Sequence, residues 1–348
     1  MISHTILVLN AGSSTIKAAV FEDGHEVARA ASDAVPDHGA ALSRVMADLA
    51  AQGHAIGSFD AAAHRVVHGG AALNASARIT PNVRAQIAEC IPLAPLHNPH
   101  HLVVIDRIAA LAPDLPQFAS FDTAFHATIP DVATRYALPD IGATQGLRRY
   151  GFHGISYAAL TGALPRQTGQ PLPRRLLAFH LGNGASICAI REGRSVATTM
   201  GYSPNAGLTM GTRSGDMDPA AVLELARRLG VDEAEHLLTH KSGLLGLSGE
   251  SFDMRALQAS GTPGAQLAIQ HFCYWAARHA GSMIAAMGGL DAIAFTGGIG
   301  ENAGDIRNDI LLKLAWAGDV PAYTVPAQEE AFVAREASNL MEGPEFAA

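Results

Sequence analysis

Residues 7–17 read LVLNAGSSTIK, and a related stretch, LAFHLGNGASICAI, recurs at 177–190. In both, an apolar β-type run enters a tight Gly/Ser/Asn turn and leaves as a second alternating apolar run. Gly12 and Ser14 align with Gly184 and Ser186 at one offset of 172, and the hairpins run on to turn signals at Asp23-Gly24 and Glu192-Gly193. Two copies of a strand–polar turn–strand unit, half a chain apart, predict two domains facing each other. Each turn can then offer backbone N–H groups and small hydroxyls to the same polyanion. A Walker loop needs GxxxxGK[ST] opening a helix, whereas Gly12 to Lys17 runs into the β-patterned IKAAVF. No GxGxxG follows an early strand. Two ordinary glycine-rich hairpins remain the plain alternative at this point.

The 348 residues exceed one comfortable core and fit two domains of ordinary size. A hydrophobic content of 48% against 16% charged residues describes a well-buried globule. A net charge of −8 argues against nucleic acid, because no basic stripe is present to neutralise phosphates. Cys90, Cys188 and Cys273 lie far apart in apolar contexts and form no CxxC pair, which predicts a reducing, cytoplasmic setting. The opening MISHTILVLN lacks a basic n-region, and no run approaches 18 apolar residues, so neither a signal peptide nor a membrane partner is expected. Of the 16 histidines, His97, His100 and His101 cluster in HNPHH. The proline inside it is expected to break the helical spacing that HExxH-type metal sites use.

Strands are expected near 5–9, 16–21, 63–67, 117–121, 175–181, 185–190 and 291–295. Helical patterns occupy 40–51, 99–111, 154–163, 217–229, 264–287, 303–316 and 328–340. Hairpins come first in each half and helices follow, which predicts an α/β protein with mixed sheets. Pro/Gly-rich stretches at 162–174 and 317–326 read as loops, and the helix after Pro326 is expected to pack back on the first domain.

Several short strings carry chemistry. Asp122 in ASFDTAFH follows a strand, where side chains project from the carboxyl edge of a sheet. Arg65 in AAHRVVHGG holds a similar strand-end position, and Arg213 sits between glycines in MGTRSGD. Arginines among small residues suit bidentate binding of carboxylate or phosphate oxygens, with structural ion pairs as the competing explanation. GFHG puts His153 on a glycine-flanked turn before a helix, a place more often structural than catalytic. FTGGIGEN, at 295–302, joins a β-run to the helical pattern at 303, where glycines let a phosphate approach a helix N-terminus. Asp253-Met254-Arg255 is weak in isolation.

Taken together, NAGSSTIK, HRVVHGG, APLHNP, FDTAFH, YGFHG, HLGNGASI, GTRSGDMDPA, KSGLLGLSG and GGIGEN resemble, in order, the signatures of the acetate kinase family, over about residues 5–336. The resemblance implies a duplicated actin-like (ribonuclease H-like) fold, with mixed sheets flanked by helices and a cleft between two domains. These would span 1–126 plus 331–348, on the carboxylate and magnesium side, and 127–330, on the nucleotide side. It implies a homodimer that phosphorylates acetate reversibly from Mg²⁺-ATP, with Mn²⁺ as an alternative metal, giving ADP and acetyl phosphate by direct in-line transfer, and propionate as a secondary substrate.

Residue by residue, the resemblance gives Asn10 and Glu329 to magnesium and Lys17 to nucleotide. Arg65 matches the carboxylate-binding arginine, Asp122 the catalytic acid, and His153 and Arg213 the transition-state stabilisers. His180, Leu181, Gly182, Asn183 and Gly184, then Asp253, Met254 and Arg255, then Gly298, Ile299, Gly300, Glu301 and Asn302 match nucleotide contacts. Val67, Leu96, Phe152 and Pro204 match a small apolar pocket for the methyl group. Thr15 stands for the usual serine, Met254 for an aromatic, and Glu329 lies in PAQEE rather than the common PTNEE. The chain is also reduced near 22–60 and 316–326. Two other readings compete. A sugar or polyol kinase of the same fold would need a general base, and a nucleotide-driven binding module would not need the Arg65/Arg213 pair.

Overall fold

The computed structural model describes residues 4–12, 15–33 and 37–343. The chain divides into two compact units, one comprising residues 1–127 and 328–348 and the other residues 128–327. In the first, β1 (Thr5–Ala11), β2 (Thr15–Glu22) and β3 (His25–Asp33) form an antiparallel meander. Then β4 (Ala61–Val66) joins β1 in parallel, β6 (Gln117–Phe121) joins β4 in parallel, and the two-residue β5 (Ala77–Arg78) edges β6. The order is β3-β2-β1-β4-β6-β5. Residues alternate strongly enough in β2 to bury Ile16, Ala18 and Val20 against the helix His38–Ala51, whose Leu42, Val45 and Leu49 are fully covered. The helix Glu329–Met341 belongs to this unit and buries Val333, Ala334 and Ala337.

The second unit repeats the plan. β7 (Arg175–Leu181), β8 (Ala185–Arg191) and β9 (Arg194–Thr198) form the meander, β10 (Ala292–Thr296) runs parallel to β7, and β11 (Ala322–Thr324) runs parallel to β10. Read from its third strand, each sheet runs third-second-first-fourth and then one more parallel strand, β6 in the first and β11 in the second, with β5 added at the first sheet's edge. This is the duplicated actin-like α/β arrangement with mixed sheets. The duplication extends to detail. Asp23 (φ 50°) and Gly24 (φ 77°) turn β2 into β3, and Glu192 (φ 53°) and Gly193 (φ 77°) turn β8 into β9, the left-handed pair that a two-residue hairpin of this hand requires. A register shift follows Val20 in the first sheet and Ala189 in the second.

These landmarks correct the offset of 172. The hairpin turns at Asp23 and Glu192 lie 169 residues apart, as do the two register shifts. Ala11 pairs with Ile16 across four intervening residues, whereas Leu181 pairs with Ala185 across three. The first loop is thus one residue longer, and Gly12 corresponds to Gly182 rather than Gly184. Ser14, the other residue of that alignment, lies outside the described residues. In this register Asn10 faces Lys17 in the first hairpin as His180 faces Ser186 in the second.

Other expectations also shift. Pro99 opens the helix Asn98–Leu111 instead of disrupting it, because a missing N–H costs nothing in the first turn. The helix Gly154–Thr168 carries Pro165 in its last turns and stops at Gly169 (φ 66°), beyond the expected end at 163. Burial of Leu160, Ala163 and Leu164 outweighs the proline. Residues Gly297–Asn302 are already helical rather than a bare turn before 303. β11 falls inside the expected loop at 317–326, and β3, β5, β9 and the helices Pro81–Glu89 and Val231–His240 were not anticipated. Among the described residues no helix is long and apolar enough to cross a membrane.

Candidate functional site

In the first unit, the parallel pairing of β4 with β6 sets Arg65 opposite Ser120. The Asp122 N–H donates to the Val66 carbonyl at 3.0 Å, extending the ladder past the strand end. The Asp122 carboxylate is thereby brought beside the Arg65 guanidinium. Nη2 donates to Oδ2 at 2.6 Å, Nε to Oδ1 at 3.4 Å, and Nη1 to Asn10 Oδ1 at 3.1 Å. The Asp122 side chain is 3% exposed and that of Arg65 23%, so the pair is largely dry with one open side. Burial works against the Arg65 charge, but the carboxylates of Asp122 and Glu329 outweigh it and hold the guanidinium pKa above its ordinary value. Glu329 opens the helix Glu329–Met341, where a carboxylate is favoured by the helix dipole.

Val67 is buried and its N–H donates to His101 Nε2 at 3.3 Å. Burial first, then the nearby Arg65 charge, keeps that imidazole pKa well below its usual range. Leu96 is 46% exposed. Lys17 projects from β2 as an exposed side chain opposite Asn10.

Among the described residues no group of three or more His, Cys, Asp or Glu side chains is arranged to hold a metal ion. A magnesium site does not need such a group. Mg²⁺ prefers oxygen, retains several waters, and commonly takes only one or two carboxylates with substrate phosphates. The Glu329 carboxylate and the Asn10 amide oxygen each lie near the Arg65 guanidinium and supply oxygen donors.

In the second unit, His153 precedes the helix Gly154–Thr168 with φ 58°, a left-handed conformation that is uncommon for a non-glycine residue. The turn aims its ring at β7 and β8, where Nδ1 lies 2.9 Å from Ser186 Oγ and the ring stacks on His180 with centroids 4.1 Å apart. His180 Nδ1 lies 2.8 Å from Ser156 Oγ. Both rings therefore present Nε2 toward the Gly182–Gly184 loop. A Cβ on Gly184 would meet His153 Nε2 at 3.2 Å and Arg213 Nη1 at 3.7 Å, and one on Gly182 would meet His180 Nε2 at 3.9 Å. Two imidazoles and a guanidinium thus converge on one glycine-rich loop.

Arg213 Nη1 donates to the Pro204 carbonyl at 3.1 Å, which brings two of the expected residues into contact. Phe152, next to His153, is buried. The Gly211 N–H donates to the Asn183 carbonyl at 2.9 Å, and a side chain on Gly211 would overlap Asn183 Oδ1. A side chain at 211 would therefore require Asn183 to turn its amide away.

The same loop borders a cavity of about 680 Å³. Of the expected nucleotide residues, Gly182, Asn183, Asp253, Met254, Arg255, Gly298, Ile299 and Asn302 line it. Leu181 and Gly300 are buried instead, and Glu301 turns back so that Oε1 accepts the N–H groups of Gly297 (3.1 Å) and Ala327 (3.0 Å). Gly297 (φ 81°) passes so close to β7 that an added Cβ would lie 2.8 Å from the Leu181 carbonyl oxygen. Asp253 caps its own helix by accepting from Arg255 N–H and pairs with the Arg255 guanidinium at 2.7 Å, an exposed pair of small energetic weight. Three lining residues were not foreseen: Phe252, Gln258 and Ala303. Phe252 is 52% exposed, whereas Met254 is 3% exposed, so the aromatic face comes from position 252. The only sequence signal was an aromatic directly before the Asp-Met-Arg string.

Comparisons with known proteins agree with one another. The Acetokinase family model matches residues 24–341. Acetate kinase of Rhodopseudomonas palustris is 46% identical over 308 residues, covering 81% of this chain and 77% of the relative. The crystal structure of Porphyromonas gingivalis acetate kinase matches with a TM-score of 0.90 at 33% identity, covering 97% of this chain and 100% of that one. A propionate kinase from Francisella tularensis matches with a TM-score of 0.86, also at 33% identity, over 96% of this chain and 98% of that one.

Proposed function

The chain belongs to the Acetokinase family and is a kinase, and from that membership we propose that it transfers the γ-phosphoryl group of ATP reversibly to acetate, giving ADP and acetyl phosphate. The observation that carries the reading is the convergence of His153, His180 and Arg213 on the Gly182–Gly184 loop, beside a cavity large enough for a nucleotide. Phosphoryl transfer needs alignment and charge neutralisation more than covalent work by the protein. Donors without a strong base suit that demand.

A short carboxylic acid has a pKa of about 4–5 and is already ionised at neutral pH, so no residue has to deprotonate it. Asp122 then serves to hold Arg65, and Arg65 turns its open side to the substrate carboxylate. Arg213 and His153 stabilise charge on the transferring group. Mg²⁺, or Mn²⁺ in its stead, would be held by Glu329 and Asn10 and would neutralise phosphate charge when bound. Glycine amides at 182–184 follow the phosphates, and Phe252 offers a face for the base. Trapping the acyl phosphate as a hydroxamate, with acetate, propionate and butyrate in turn, tests the reading. It fails if no hydroxamate forms from any of the three.

Propionate is proposed as a secondary substrate, a reading supported by the propionate kinase among the similar structures. Val67 is buried one residue beyond β4, close to Arg65 in the chain. If it bounds the site of the acyl group, Val67→Ala raises the propionate-to-acetate ratio of kcat/KM by roughly tenfold, the value of about one methylene. A ratio within about twofold of wild type in steady-state kinetics would remove Val67 from the pocket.

A further inference from the structure

Behind His153 lies a closed run of hydroxyl groups. Ser186 on β8 is fully buried, with Oγ 2.9 Å from His153 Nδ1 and 2.5 Å from the Tyr157 hydroxyl. Tyr157, one turn into the helix that His153 precedes, is fully buried too, with its hydroxyl against Ser186 Oγ. A phenol is the stronger donor and the poorer acceptor of the two hydroxyls, so the Tyr157 proton points to Ser186. The Ser186 hydroxyl proton is then directed to His153 Nδ1. A ring nitrogen that accepts is unprotonated, which leaves the imidazole hydrogen on Nε2. Burial pushes the Tyr157 phenol well above its usual range, so it stays protonated and a donor.

We infer that Tyr157 and Ser186 are positioning residues that hold His153 in its Nε2–H form, so that the ring presents a fixed donor to an anion at the Gly182–Gly184 loop. The inference rests on the reading of that loop as the phosphate-binding part of the kinase site. It goes beyond that reading by assigning the direction of each proton along Tyr157, Ser186 and His153. The neighbouring ring is set in parallel, with Ser156, itself buried, on Nδ1 of His180. Two hydroxyls on two different elements thus orient two stacked imidazoles toward one loop.

The test is nitrogen NMR of the full chain labelled with ¹⁵N-histidine, the His153 signals being identified by their loss in His153→Gln. The wild-type ring is expected to carry its proton on Nε2 and a bare Nδ1. In Tyr157→Phe, which keeps the ring volume, and in Ser186→Ala, the Nδ1-protonated form is expected to appear. In both variants kcat falls roughly tenfold, about the value of one buried hydrogen bond, while both KM values stay within about twofold. A wild-type ring protonated on Nδ1 overturns the proposal, as do variant rings that keep the wild-type tautomer. The wild-type spectrum requires neither a folded variant nor turnover. Failure to form an acyl phosphate would therefore count against the kinase reading alone.

Discussion

Arg213→Ala is expected to lower kcat by about 10²–10³ with little change in the KM for carboxylate, because removing one donor aimed at developing charge typically has that cost. In the resting protein one guanidinium nitrogen is held by the Pro204 carbonyl at 3.1 Å, which orients the group. Its Nη1 lies 3.7 Å from where a Gly184 Cβ would stand, so it borders the loop read as the phosphate site. A group whose partner charge grows during transfer affects the transition state more than the ground state. Steady-state kinetics in both directions check this. A variant that raised only KM would make Arg213 a ground-state binder and would contradict its role here.

Arg65→Ala is expected to show the opposite emphasis, with the carboxylate KM rising roughly 10–100-fold, as for a lost charged hydrogen bond of about 1.5–3 kcal/mol. Its consequences reach beyond substrate. Asp122 is 3% exposed and receives two bonds from Arg65, so the variant leaves a buried carboxylate without that guanidinium. Breaking a buried pair by removing one partner costs about 3–5 kcal/mol, and the partial exposure of Arg65 puts the loss at the lower end. The urea midpoint should fall accordingly. Arg65→Lys keeps the charge but cannot reproduce the forked contact with Asp122 while also reaching Asn10. An unchanged carboxylate KM in Arg65→Ala, with only kcat reduced, would refute the substrate-binding role.

Much of this architecture was legible because hairpins write their geometry locally. Alternating apolar residues and the Asp23-Gly24 and Glu192-Gly193 turns are enough to announce the first two strands of each sheet and the turn that ends them, but not β3 and β9 beyond those turns. A single extra loop residue between Ala11 and Ile16 is not visible in composition, and it sufficed to misalign the two copies. In β3 and β9 the buried positions are small or polar residues, Ala28 and Ala30 or Ser195, Ala197 and Thr198, so the apolar alternation is faint, and other missed elements are short. β5 has two residues and β11 three, both on sheet edges. The helix Val231–His240 starts directly after Gly230, which caps the preceding helix, so two short helices blur into one polar stretch.

For the site, strings dense in glycine and charge stood out, and most of those expected at the nucleotide line one cavity. Tyr157 and Ser156 did not stand out, and Ser186 did so only as a hydroxyl of the turn, because their roles come from the pairing of His180 with Ser186 and from a helix packed across that strand pair. Neither relation exists in a linear motif. Phe252 was hidden for a similar reason, since only its exposure separates it from a core aromatic.

The central claim is that the phosphoryl group passes directly from ATP to the carboxylate, with the side chains aligning and neutralising rather than carrying it. Following the configuration at phosphorus tests this most directly, using ATP made chiral at the γ-phosphorus with oxygen isotopes and acetate as acceptor. A single in-line displacement predicts inversion in the acetyl phosphate formed. Retention would require an even number of transfers through a phosphorylated side chain, and would contradict the account.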